Sequence, residues 1–118
     1  MSKIYFGFAL ADSMFQGEGV IERRNLTTEQ VRGLLQSGLV ESCCNPSHQA
    51  TITAMRSRFG LEVGIPSQPP QIKLFHGDAV IVMGVRGLPR LTDRHEYTEN
   101  EVASATFVFT HYFFKGVL

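Results

Sequence analysis

Apolar and aromatic residues crowd positions 3–11 (KIYFGFALA), a pattern that predicts a buried strand, and Gly7 marks a place where another group comes close to the backbone. Residues 12–19 read as a turn, and 20–24 as a short second strand. Thr27 with Gln30 three positions later forms a capping box, and Val31, Leu34 and Leu35 keep helical spacing up to a stop at Gly38. Asn45-Pro46 opens a second helix as N-cap and first helical residue; Ile52, Met55 and Phe59 share one face, and Gly60 closes it. Residues 64–71 (GIPSQPPQ) are too rich in proline for regular structure. Residues 72–75 and 79–85 flank His76-Gly77-Asp78, which predicts a hairpin, and 79–85, apolar on both faces, should be a central strand. The glycine- and proline-broken stretch 86–94 is a loop. Thr98 and Glu101 cap a short helix, and 106–114 is a last strand with aromatic residues on both faces. This order predicts an α+β fold, a small mixed sheet covered by helices, with residues 1–118 forming one domain.

Composition bounds the function. A chain of 118 residues can bury a core without disulfides, and 11 basic against 11 acidic side chains argue against a general duplex nucleic-acid binder. The only cysteines, Cys43 and Cys44, are adjacent, which excludes a disulfide framework and leaves no zinc-ligand spacing. No apolar run approaches the ~20 residues of a membrane span, and the N-terminus lacks the features of a signal peptide. The expectation is a soluble cytoplasmic protein without metal or cofactor.

Two stretches have chemistry to offer. His48 falls at the start of the second helix beside Asn45 and Ser47, where backbone N–H groups and the helix dipole attract phosphate, and an imidazole there binds a phosphate oxygen or protonates a leaving oxygen. The alternative is that His48 only reaches back to the N-cap. The loop 86–94 holds Arg86, Arg90, Asp93 and Arg94 at the exit of the expected central strand; its arginines suit phosphate, with Asp93 orienting one of them or acting as a base. Alternatively these arginines pair with Glu96, Glu99 or Glu101 in a solvated turn. His76 with Asp78 reads as turn chemistry. Cys43 and Cys44 read as buried structural thiols. Phe107, Phe109, Phe113 and Phe114 exceed what so small a core needs, which predicts a homodimer or higher symmetric oligomer.

Several short runs, taken in order, resemble a family of small viral and prophage proteins first recognised in Sulfolobus turreted icosahedral virus, which includes the anti-CRISPR ring nucleases that degrade cyclic tetra-adenylate. They are Ile4-Tyr5-Phe6 with Ser13-Met14-Phe15, Ser47-His48-Gln49-Ala50-Thr51, Phe75-His76-Gly77-Asp78 with the apolar run after it, and Pro89-Arg90-Leu91. The resemblance implies an α+β homodimer that binds a cyclic nucleotide across its interface without metal. It implies that the residues matching His48 and Arg90 line the pocket, and that in the nucleases they act as general acid and as stabiliser of the charged intermediate.

The chain also departs from the catalytic members. Phe8 and Ala11 stand where those carry polar residues, Gln71 replaces an arginine, and the catalytic glutamate falls at Asp93, one methylene shorter. Catalysis tolerates misplacement poorly, whereas binding is more forgiving. The resulting expectation is an anti-defence protein that sequesters a cyclic nucleotide messenger, with Phe8 stacking on a base. Its ligand site would comprise Phe8, Ala11, Ser13, Met14, Asn45, Ser47, His48, Arg86 and Arg90. The competing readings are a ring nuclease using His48, Arg90 and Asp93, and an interaction protein without a nucleotide ligand.

Overall fold

In a computed structural model, which describes residues 2–92, 94 and 96–117, the helices start where their caps predict. The Thr27 hydroxyl accepts the Gln30 N–H at 3.1 Å and the Gln30 side chain accepts the Thr27 N–H at 2.8 Å, opening helix α1 (Thr28–Gln36). Asn45 opens a 3₁₀ turn (Pro46–His48) that runs into α2 (Gln49–Phe59), which ends on Gly60 with a left-handed φ of 70°. The Thr98–Glu101 box starts α3 (Glu99–Ser104).

The strands are β1 (Ile4–Gly7), β2 (Gly19–Leu26), β3 (Val40–Ser42), β4 (Ala79–Arg86) and β5 (Thr106–Gly116), joined in one sheet in the order β2-β5-β4-β1-β3. The expected α+β fold with a mixed sheet is thus present. β1 runs parallel to both β3 and β4, while β5 runs antiparallel to β4 and β2. β4 is central, as its two-sided apolar pattern requires. β1 is shorter than residues 3–11, β2 extends past 20–24 in both directions, and β3 was not foreseen.

Side chains alternate between two layers. On one face α1 and α2 pack Val31, Ile52 and Met55 onto Phe6, Ile81, Met83 and Phe109. Arg58 joins α2 to α3: its guanidinium donates to the Val102 carbonyl at 3.1 Å and to the Ala105 carbonyl, and lies over the Phe59 and Phe107 rings. On the other face Tyr5, Val80 and Phe114 are covered by irregular chain that carries Ile72, Leu74, Met14 and Phe15. The last-strand phenylalanines are used inside the chain: Phe109 and Phe114 are buried in opposite cores, and Phe107 and Phe113 are half-buried.

The expected hairpin does not form. Residues 72–75 make no ladder with β4, whose two edges are taken by β1 and β5. Leu74 instead bridges Phe15 in parallel, its N–H donating to the Met14 carbonyl at 2.7 Å. The cause is Asp78, a buried carboxylate. Its Oδ2 accepts the Phe75 N–H at 2.9 Å and its Oδ1 the Lys3 N–H at 2.8 Å, while its carbonyl accepts the Phe114 N–H. The turn itself closes, the Asp78 N–H donating to the Phe75 carbonyl at 2.9 Å, but the Phe75 N–H and the Asp78 carbonyl that would continue it as a ladder are engaged otherwise. Gly77, at φ 90°, turns the chain across the sheet rather than back along β4.

Asp78→Ala leaves two part-buried N–H groups without their charged acceptor. At about 1.5–3 kcal/mol for each such bond, urea unfolding should show a loss of roughly 3–6 kcal/mol. Asp78→Asn, which keeps one acceptor oxygen, should lose less.

Candidate functional site

Because β1, β3 and β4 are mutually parallel, the segments leaving their C-terminal ends open on the same edge of the sheet, where α/β folds usually place ligands. The expected site residues divide among these three exits. Phe8 follows β1, and Ala11, Ser13 and Met14 belong to the 3₁₀ turn at 12–14 and its cap; Asn45, Ser47 and His48 follow β3; Arg86 ends β4, and Arg90 lies in the loop beyond. Asp93 lies outside the described residues, as does His95.

The first two exits meet. The Cys43 N–H donates to the Phe6 carbonyl at 2.8 Å, extending the β1–β3 ladder by one bond. Ser42 holds the following bend: its hydroxyl donates to the Gly64 carbonyl at 2.6 Å and accepts the Cys44 N–H. The chain then delivers His48 to Phe8, with ring centroids 4.2 Å apart and planes inclined by 32°. Phe8 meets Phe6 edge-on at 6.4 Å. One face of Phe8, expected to be free for a base, is therefore already covered by the imidazole. Nothing in the run Ser42-Cys43-Cys44-Asn45 announced this contact, since it depends on strand pairing distant in sequence.

The cap at His48 is largely self-satisfied. The Asn45 side chain accepts the Ser47 N–H at 2.9 Å and the Ser47 hydroxyl, the Asn45 carbonyl accepts the His48 N–H, and the Pro46 carbonyl accepts the Gln49 N–H. The backbone donors expected to point at a phosphate are spent within the turn. His48 also reaches back, its Nδ1 accepting the Asn45 N–H at 3.3 Å, which leaves Nε2 to carry the ring proton. Burial pushes the His48 pKa down. The result is a neutral imidazole with one N–H donor.

The third exit is offset. Gly7 is level with Val82, and β4 continues four residues further to Arg86, about 13 Å at the usual strand rise. Arg86 and Arg90 are exposed, whereas Arg94 is held by a bidentate pair with Glu101, at 2.6 and 2.5 Å, as in the solvated-turn alternative. Among the described residues that alternative holds for Arg94, and no ion pair engages Arg86 or Arg90. Ala11 and Ser13 are exposed on the surface, and Met14 packs into the second core. Cys44 is fully buried and burial raises the Cys43 thiol to about 11, so neither is a reactive thiolate at neutral pH. Among the described residues no three His, Cys, Asp or Glu side chains converge as metal ligands, and no helix is long and apolar enough to cross a membrane.

Removing Phe8 should expose the imidazole. The NMR titration midpoint of His48 is expected below the ~6.5 of a free imidazole, and Phe8→Ala should raise it towards that value. A lowered folded pKa also means that the unfolded chain binds more protons. Stability should then be complete above about pH 6.5 and fall as the pH drops through the folded midpoint. His111, likewise lowered by burial and by Arg24, adds in the same direction, while Glu101, titrating at about 2, adds nothing in that window. The fall in urea midpoint between pH 7.5 and 5.5 should shrink in the His48→Gln, His111→Gln double variant.

No family model and no curated protein matches the sequence. Among solved structures the chain is similar to B116 of Sulfolobus turreted icosahedral virus, with a TM-score of 0.70 at 15% sequence identity over 95% of this chain and 99% of that one. The likeness spans both chains almost end to end, so this protein has the fold of that viral protein.

Proposed function

We propose that the protein is a cyclic-nucleotide sponge: a homodimer that binds and sequesters a cyclic nucleotide messenger of antiviral immunity at the edge where β1, β3 and β4 end. The short runs around His48 and Arg90 support the nucleotide, and the likeness of the fold to a viral protein supports the anti-defence setting. The offset between the Phe8–His48 pair and the arginine loop supports a ligand of several nucleotides, longer than one phosphate contact reaches.

One observation favours sequestration over cleavage, namely the state of His48. A general acid must give up a proton that it holds loosely, which for histidine means the imidazolium form. Protonation at Nδ1 would break the bond from the Asn45 N–H, and burial opposes the charge. A neutral ring still donates one hydrogen bond from Nε2 to a phosphate oxygen or a base. The residue is thus better suited to holding a ligand than to cutting it.

The test is a panel of cyclic di-, tri- and tetranucleotides and cyclic ADP-ribose isomers, scored by thermal shift and then by chromatography after boiling. The expected result is binding of one class and its return intact from a dimer seen by light scattering. Arg90→Ala should weaken that binding by about 1.5–3 kcal/mol, the worth of a charge-assisted phosphate contact. Linear products would make the protein a ring nuclease instead. Failure to bind any member of the panel would leave an interaction protein.

A further inference from the structure

Arg24 of β2 and His111 of β5 stand directly opposite each other in the strand pairing, on the face that carries the helices. Two basic groups are a poor cross-strand pair, and burial together with Arg24 pushes the His111 pKa down. Neither has an acidic partner among the described residues. The nearby acids are already engaged, Glu22 by Lys115 at 2.6 Å and Glu29 by Arg32.

The pair also shares a groove. With Leu26 and with Glu29, Gln30, Gly33 and Leu34 of α1 it lines a cavity of about 410 Å³, and with Glu22 and Phe113 it lines an adjoining one of about 250 Å³. Volumes of this order suit small-molecule ligands, which take apolar walls and a few convergent polar groups. Arg24 and His111 are the donors among those groups, while the carboxylates of Glu22 and Glu29 on the same lining are taken up by Lys115 and Arg32. Leu26, Leu34 and the Phe113 ring are the walls.

We propose that this groove is a second binding site, for a small organic anion: a phosphate or carboxylate carried on a flat aromatic ring. The Arg24 fork takes two anion oxygens, the His111 imidazole donates to one of them, and the ring lies against Phe113. The groove shares no residue with the Phe8–His48 pair or the arginine loop, so this inference stands apart from the cyclic-nucleotide reading.

Phenyl phosphate is the probe, titrated into the intact protein and followed by NMR of the His111 imidazole. It should shift those resonances and raise the His111 midpoint. The charged groups around that ring are Arg24 and the Glu22–Lys115 pair on the sheet and, from α1, Glu29, which pairs with Arg32. Benzyl alcohol, which has the ring but no charge, should leave the imidazole unmoved, and inorganic phosphate should bind more weakly than phenyl phosphate. Arg24→Gln should weaken binding about ten- to a hundredfold, as loss of a charge-assisted contact does. Arg23→Gln removes the same charge from the opposite face of β2 and should leave affinity unchanged. An unmoved wild-type imidazole, equal binding of inorganic phosphate, or an equal effect of Arg23→Gln would each overturn the proposal.

Discussion

The carboxylate of Asp78 is the constraint on which the rest of this fold depends. It is nearly inaccessible to solvent and collects N–H groups from Lys3 and Phe75, while its own carbonyl takes the Phe114 N–H. One residue thus aligns the start of β1, the start of β4 and the end of β5, giving the pairs Ile4–Ala79 and Ala79–Phe113. Every other pairing in the three middle strands follows, because a slip of one residue would exchange the two faces and turn Phe6, Ile81 and Phe109 away from the helices. The same carboxylate sends residues 72–75 across the face that no helix covers, where Ile72 and Leu74 close the second core. A charge in this position is tolerable because each oxygen has a backbone donor.

What was legible in the sequence is what local chemistry decides. Thr27 with Gln30, Asn45 with Pro46, Gly60 and Thr98 with Glu101 each act within one turn of chain, and the three helix starts and the end of α2 follow from them. β4 was legible because a strand buried on both sides has to be apolar on both sides. The hairpin expected from residues 72–75 and 79–85 shows the converse. His76-Gly77-Asp78 does make a tight turn, but its consequence depends on Lys3, 75 residues away, and no window around the turn contains that partner. β3 escaped because three residues, Val-Glu-Ser, make no pattern, and their pairing with β1 is imposed from outside.

The candidate site divides in the same way. His48 at the cap was readable, and so was its habit of reaching back to the cap backbone. Its contact with Phe8 was not, since 40 positions separate them and only the β1–β3 ladder brings them together. In sequence Phe8 reads as a platform for a base, yet an aromatic partner from the chain itself, His48, already lies 4.2 Å from it. Arg94 shows how three arginines that look equivalent in sequence become unequal: its bidentate hold on Glu101 ties the loop to α3, while Arg86 and Arg90 stand exposed without an ion pair among the described residues.

The mixed sheet gives the molecule two unlike regions. β1, β3 and β4 form a parallel trio whose ends all face one way, so residues from three separate stretches of chain gather on that edge. The antiparallel wing of β5 and β2 works differently, because it gathers side chains across a strand pair rather than at strand ends. Glu22, Arg24 and Leu26 line up with Phe113, His111 and Phe109 on one face, and α1 overhangs only part of that row. At the solvent edge β2 has no further strand to pair with, and its run Glu22-Arg23-Arg24 puts charge where an apolar strand would invite unwanted pairing. Arg23 points to the helix-free side, so two successive arginines serve opposite faces of one strand. A charge required only for solubility gains nothing from being set opposite an imidazole beside a groove. Arg23 satisfies the first requirement alone, and the placement of Arg24 makes it the recognition residue of the wing.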